Sequence, residues 1–494
     1  MKTAIILNLM LGVALATWAN EPPPSLFLGQ GDAVMSAPME AFAQRIHMRA
    51  TTKRIRTAVL NRASLAADAL TLNPFADTPM VADKTDIGFT GARNKTWLGN
   101  LRDGKGSVAL IINGDRISGK IASMDGVFEL YPMDDGAVAI VELDQSAFPS
   151  CGNDGSARPT RATSLPADAG DAVPDDGPQG DGALGDTPTA NRIRILVAYT
   201  SSSQAKTLAD YNRTMQEHID LAIAESNQGY ANSLVAARLQ LACLYETGAT
   251  ETTAIENDVD NFQSNGDGFA DEVHTLRNEY DADMCCLIVD GRDTAWCGWA
   301  YGFDYTSAAN MFQCTTYSCA TGNYSFIHEF GHCQGCRHDT DGTLTPFAYG
   351  HGFRQGNTTW RTIMAVTGGN SATRLNYWSN PAVNSPVSPT VAMGTAINGA
   401  NFAQDNESAL DDGDATVVNH QTTPVTSVAL NGNTVNNDET ADKIVTDTLT
   451  VGSFTANAGS RVRLISGNKV VLQPGFHARS GTETRIKIGS PLTN

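Results

Sequence analysis

Apolar and polar positions change rhythm several times along the chain. Ala4–Ala16 is a continuous apolar run behind Lys2, about the length of a secretory leader core. Ala14, Ala16 and Ala19 offer cleavage positions, and Glu21-Pro22-Pro23-Pro24 breaks any helix beyond them. A removable leader over 1–19 is expected. Met39–Leu72 reads as a helix, with Ile46, Ile55, Val59 and Leu60 among Arg45, Arg49, Lys53, Arg54, Arg56 and Arg62. Short β-type runs follow at Val108–Ile112, Arg116–Ile121, Val127–Tyr131 and Ala137–Leu143. Asn113-Gly114, Asp125-Gly126 and Asp135-Gly136 separate them, which predicts antiparallel hairpins. Residues 20–151 thus read as an N-terminal α+β unit.

Residues 152–190 are rich in Gly, Pro, Ala and Asp and almost lack large apolar side chains, as in an exposed linker. The pattern over 191–382 predicts an α/β (α+β) domain. Ile193–Tyr199, Ala237–Tyr245 and Met284–Asp290 read as strands. Ala205–Gln228 reads as a helix with Leu208, Tyr211, Met215, Ile219, Ala222 and Ile223 on its apolar face, and further helices fall near Phe269–Tyr280 and Phe326–Gln334. Residues 383–426 are polar and irregular. Residues 427–494, with the runs Arg461–Ile465, Lys469–Leu472 and Thr484–Ile488, predict a small all-β module.

Composition narrows the function. The 494 residues carry 34 Lys and Arg against 53 Asp and Glu, a formal net charge of −19. Such a chain lacks the basic face of a phosphate-tracking nucleic-acid binder. The one long apolar run is N-terminal, so integral membrane association is not expected. Export places nine cysteines in an oxidising setting. Eight of them, from Cys243 to Cys336, fall in one segment and allow up to four disulfides, while Cys151 stands apart.

Residues 328–339 read H-E-F-G-H-C-Q-G-C-R-H-D. On a helix, His328 and His332 share one face one turn apart, the geometry for two imidazoles on one zinc ion. Glu329 sits beside them as a candidate base. Gly335 ends the helix in a left-handed turn and places His338 as a third ligand. Three protein ligands and an open position define a catalytic site rather than a closed structural one. A chance match to the full spacing is expected in roughly 1 chain in 100,000 of this length.

H-E-x-x-H-x-x-G-x-x-H followed by a methionine turn resembles the metzincin metallopeptidases, and Asp339 after His338 resembles their reprolysin-like branch. Met364 in Arg361-Thr362-Ile363-Met364-Ala365 matches the turn. Several metzincins carry a tyrosine two residues later, where this chain has Val366. Cys297-Gly298-Trp299-Ala300-Tyr301 and Cys319–Phe326 resemble the segments that lead into the active helix of that group, and Trp360–Met364 with Arg374–Asn380 is similar to bacterial peptidyl-Asp metalloendopeptidases.

The resemblance covers about 190–382. It implies a metzincin-like catalytic domain with a mixed twisted sheet, an active-site helix and one catalytic Zn2+. It implies a secreted, bacterial endopeptidase acting on proteins or peptides, possessing a latent precursor and cleaving on the amino side of Asp. Residues 20–151 then form a prodomain, with Cys151 as an inhibitory zinc ligand and an activating cut in the linker near Thr187–Arg192. Arg354, Arg361, Arg374 and Tyr377 are candidates for the substrate pocket. Cys333 and Cys336, placed inside the histidine motif, are expected in disulfides to other cysteines, and Cys285-Cys286 in two different ones. Residues 462–482 resemble small stacked β modules of secreted bacterial proteins, which would serve either attachment to a surface or matrix or stability alone. A non-catalytic binding or adhesion protein on the same scaffold is the rival reading.

Overall fold

The computed structural model describes residues 22–29, 35–87, 94–153, 191–291, 295–356, 359–366, 372–396, 403–421 and 427–488. The expected leader over 1–19 and all but the first two residues of the expected linker 152–190 lie outside the described residues.

Strands dominate the N-terminal unit. The helix there is short, Ala37–His47, and Thr52–Leu60 is a strand rather than the continuation of a helix. The run of β-branched and apolar residues from Thr51 to Leu60 favours the extended form. Its arginines find partners that a free helix would lack: Arg54 Nε donates to Glu142 at 2.5 Å and its Nη1 to Asp77 at 2.9 Å. Successive hairpins carry the sheet from Ala69–Leu72 through Lys95–Leu101 to Ala137–Leu143, which pairs back onto Thr52–Leu60. Phe27–Leu28 then pairs with Leu60 and Val59, and Leu26 N–H donates to Thr71 O, so the sheet closes into a barrel. Trp97, Phe75 and Phe128 help fill it.

The second unit is a mixed α+β assembly. Arg192–Thr200 lies at the centre of a sheet, parallel to Arg238–Thr247 and to Met284–Val289. Phe312–Thr316 continues the parallel run, and Trp296–Ala300 is antiparallel to it. The helix expected over Ala205–Gln228 is two helices. Ser201–Tyr211 stops at Asn212 in the left-handed region (φ 49°). Thr214 and Glu217 then form a reciprocal capping box that starts Met215–Asn232. That second helix is buried nearly all round, because the barrel packs on the side away from the sheet. Buried acids on it therefore pair with basic residues of the barrel, Arg116–Glu217 at 2.8 Å and Lys120–Glu225 at 3.7 Å, while Arg213, just ahead of the helix, reaches Glu129 of the barrel at 3.6 Å.

Both edges of this sheet are extended from elsewhere in the chain. Ser150–Cys151 pairs in parallel with Trp296–Ala300. At the other edge, Thr440–Val445 pairs with Arg238–Thr247 and is followed by Arg461–Ser466 and Glu483–Ile488. Those three strands form one wall of a parallel coil whose other walls are Ser427–Leu430, Thr448–Val451 and Lys469–Leu472, and Thr434–Val435, Phe454–Ala456 and Phe476–Ala478. Within the polar stretch before it, Asn406–Val417 is a helix. Asp405 caps it, and Ala409, Leu410, Gly413 and Val417 face the core.

The expectation of several disulfides is corrected. The described residues hold one, Cys297–Cys319, which ties the edge strand to the chain leading into the motif helix. Cys285 and Cys286 are consecutive on a strand and so face opposite layers, away from each other. Cys333 and Cys336 are buried thiols in the core beneath the motif, and Cys243 is buried at the opposite layer. All of these act as small apolar side chains. No helix among the described residues is long and apolar enough to cross a membrane.

Candidate metal centre

The motif helix is Ser325–Cys333, entered through Tyr324 in the left-handed region (φ 57°). It puts His328 and His332 on one face. Gly335 stops it with φ +91°, and a Cβ there would lie 2.7 Å from Pro346. Both the backbone angle and the space exclude a side chain, and the turn returns His338 over the helix. His338 Nε2 then lies 3.0 Å from His328 Nε2 and 3.0 Å from His332 Nε2.

Three imidazole nitrogens this close need explaining. His328 Nδ1–H donates to Ile363 O at 2.8 Å, and His332 Nδ1–H donates to Cys336 O at 2.9 Å. Each neutral ring therefore turns an Nε2 lone pair toward the same point, and His338 Nε2 has at most one proton to share. A cation between them resolves the conflict. Tetrahedral zinc with Zn–N of about 2.0–2.1 Å sets ligand nitrogens about 3.3 Å apart, close to the spacing seen. Burial, then the neighbouring imidazoles and Arg374, push His328 well below the ordinary histidine range; burial and His338 do the same for His332. Both shifts favour the neutral, metal-binding form.

A fourth donor arrives from the N-terminal unit. Cys151 Sγ is 3.5 Å from His332 Nε2 and 3.5 Å from Glu329 Oε2. The four potential ligand atoms of Cys151, His328, His332 and His338 all lie within 4.8 Å of one another. The residues are 5%, 1%, 1% and 3% exposed. Cys151 is held by pairing along the edge strand: Gly152 N–H donates to Gly298 O at 2.9 Å, and Asn153 exchanges bonds with Ala300 at 2.9 and 3.1 Å. Gly298 was not singled out by sequence reasoning, yet a Cβ there would sit 2.6 Å from Glu329 Cγ. Asn153 was also missed; its signal was its place two residues past Cys151.

Met364 is fully buried beneath the site in one cluster with Phe330 and Trp378. The turn around it supplies Ile363 O to His328, and Asp339 accepts from Val366 N–H at 3.0 Å. The arginines expected near the substrate differ in their surroundings. Arg354 pairs with Asp339 at 3.0 Å. Arg361 and Arg374 are buried and both donate to Ala365 O, at 2.6 and 3.2 Å. Tyr377 packs with Trp360, Leu375 and Met393, and its carbonyl accepts from Ile363 N–H at 2.8 Å.

Imidazoles on a helix, a third from the returning chain and a glutamate beside them, on one side of a mixed sheet, define a metallopeptidase. Residues 189–379 match the family model for metallo-peptidase family M12. The chain is 34% identical over 382 residues to a peptidyl-Asp metalloendopeptidase of Xanthomonas campestris pv. campestris, covering 74% of this chain and 87% of that one. It is 37% identical over 297 residues to the peptidyl-Asp metalloendopeptidase of a Stenotrophomonas maltophilia strain (59% and 67% covered). It is 38% identical over 167 residues to that of Pseudomonas fragi (33% and 88% covered). The chain belongs to this metallopeptidase family, with the bacterial peptidyl-Asp metalloendopeptidases, and is a metalloendopeptidase hydrolysing peptide bonds of proteins.

Proposed function

We propose that the protein is a secreted zinc endopeptidase made as a latent precursor. In this reading His328, His332 and His338 hold one zinc ion, Glu329 is the general base, and Cys151 supplies the fourth ligand until the N-terminal unit leaves. The observation that carries it is the convergence of Cys151 with the three imidazoles. Thiolate and imidazole together are a donor set that suits zinc.

Zinc, when bound, supplies Lewis acidity to the scissile carbonyl and to water. The chain's own residues do the rest. Glu329 accepts the proton of the attacking water and passes it to the leaving amine. The edge strand Trp296–Ala300 offers backbone groups that hold an extended substrate by strand addition. In the precursor Ser150–Asn153 already uses those groups, and the Cys151 thiol stands beside Glu329 where the water would be. One segment thus blocks ligand position, base and substrate strand together.

The relatives' name, peptidyl-Asp metalloendopeptidase, supports a preference for aspartate, and the amino side is what the sequence resemblance implies. An acidic side chain needs a cationic pocket, and Arg354, Arg361 and Arg374 flank the turn after Met364. The test is incubation of precursor and linker-processed protein with casein, with and without a zinc chelator, followed by sequencing of the fragments. Chelator-sensitive cleavage by the processed form alone, with fragments beginning at Asp, supports the reading. Equal activity of the precursor removes the latency; fragments with no preference at their first residue remove the specificity.

A further inference from the structure

Arg361 presents an electrostatic anomaly beside the centre. Its residue is 0% exposed. Nε donates to Ala372 O at 3.1 Å and Nη1 to Ala365 O at 2.6 Å, while Nη2 is buried with no hydrogen-bond acceptor. Both acceptors are neutral. The second guanidinium, Arg374, donates to the same Ala365 carbonyl at 3.2 Å and to Asn323 O at 2.8 Å. Two cations therefore share one carbonyl oxygen in a water-poor setting, which disfavours the charge on Arg361. Burial first, and then Arg374, push Arg361 well below the ordinary arginine range.

The nearest compensation is already committed. Asp339, the carboxylate that bears on Arg361, is salt-bridged to Arg354 at 3.0 Å and accepts from Val366 N–H. Arg354 thus has a carboxylate partner of its own, which Arg361 lacks among the described residues. A buried guanidinium with an unused N–H is costly unless a function needs it.

Its position says which function. Arg361 is two residues before Ile363, whose carbonyl orients His328, and its donor bond pins the residue after Met364. Part of what closes this region belongs to the N-terminal unit: Gln145 Oε1 accepts from Arg374 N–H at 2.8 Å. We propose that Arg361, through Nη2 and with Arg374 beside it, receives the side-chain carboxylate of the substrate residue that follows the scissile bond. This rests on the aspartate preference proposed above and assigns it to one residue. A fork of N–H donors meeting a carboxylate is the pairing that a guanidinium favours over a neutral amide.

The experiment uses zinc-loaded, linker-processed full chain and two peptides that differ only in Asp or Asn after the cleaved bond. The wild type prefers Asp by about a hundredfold in kcat/KM, the scale of one charge-assisted hydrogen bond gained or lost. Arg361→Gln brings that ratio to within about threefold of unity. A merely structural arginine lowers both peptides together and keeps the ratio, and that result overturns the assignment. If Arg361→Gln does not fold, Arg361→Lys keeps the charge and most of the volume. Its ratio falls by about tenfold, since lysine offers a point charge without the fork, and an unchanged ratio again overturns the proposal. A wild type that does not discriminate Asp from Asn sinks the specificity reading itself, a different failure from a discriminating wild type with an equally discriminating variant.

Discussion

Cys151 Sγ lies 3.5 Å from His332 Nε2, across 181 residues of sequence. The contact is set by strand pairing rather than by the thiol alone, since Cys151 registers with Gly298 and Asn153 bonds twice to Ala300. Removing the sulfur should therefore leave the strand in place while freeing the ligand position. Cys151→Ser precursor is expected to cleave casein at least about tenfold faster than wild-type precursor, because a hydroxyl is a far poorer zinc ligand than a thiolate. A variant as latent as the wild type would mean that the strand, not the thiol, does the blocking.

Glu329→Ala separates metal binding from proton transfer. His328 and His332 keep their carbonyl partners and all three imidazoles stay in place, so zinc content measured by elemental analysis stays at one per chain. Turnover of casein falls by about a hundredfold to ten-thousandfold, the usual worth of a positioned general base. Retained activity would assign the base elsewhere.

Gly335→Ala tests the turn that delivers His338. The residue sits at φ +91° with Pro346 at 2.7 Å from an added Cβ. Strain of this kind costs about 1–3 kcal/mol. Thermal denaturation should show that loss, and zinc affinity should fall with it as His338 is displaced. An unaltered melting temperature would contradict the account of the turn.

How much of this was legible follows from how local each feature is. The centre was: His328, Glu329, His332, Gly335 and His338 fall within eleven positions, and helix period plus one glycine dictate their geometry. The N-terminal helix was misjudged because Arg45–Arg62 has a helix-like spread of charge, whereas Arg54 is satisfied by Glu142, 88 residues away on the neighbouring strand. The break at Asn212 was hidden by apolar residues that continue at helical spacing through both helices. Cysteine parity says nothing about direction, so it missed that Cys285 and Cys286 face opposite layers. The helix Asn406–Val417 was masked by its acidic, glycine-containing composition. Strand exchange at the two sheet edges, through Ser150–Cys151 and Thr440–Val445, is long-range pairing that no local pattern encodes.

The contact between barrel and catalytic unit carries a pH dependence. His218 is stacked on Tyr211 and donates from Nε2 to Tyr317 O at 2.9 Å. Burial, with Arg213 adding to it, pushes its pKa from 6.5 down to about 4. Between those values the unfolded chain binds a proton that the folded chain refuses, so stability is lost as pH falls through 6.5 toward 4. The shift corresponds to about 3 kcal/mol at full effect. His218→Gln keeps a donor for Tyr317 O but no longer titrates. Thermal melts of the precursor at pH 7 and pH 5 should show a smaller drop for the variant; an identical drop would assign the dependence to other groups.

The central claim, a zinc ion held by three imidazoles and capped by Cys151 in the precursor, is tested most directly by zinc-edge X-ray absorption on zinc-loaded precursor. The account predicts three nitrogen neighbours at about 2.0–2.1 Å and one sulfur at about 2.3 Å, with the sulfur shell lost in Cys151→Ser. A wild-type spectrum with no sulfur neighbour would contradict it.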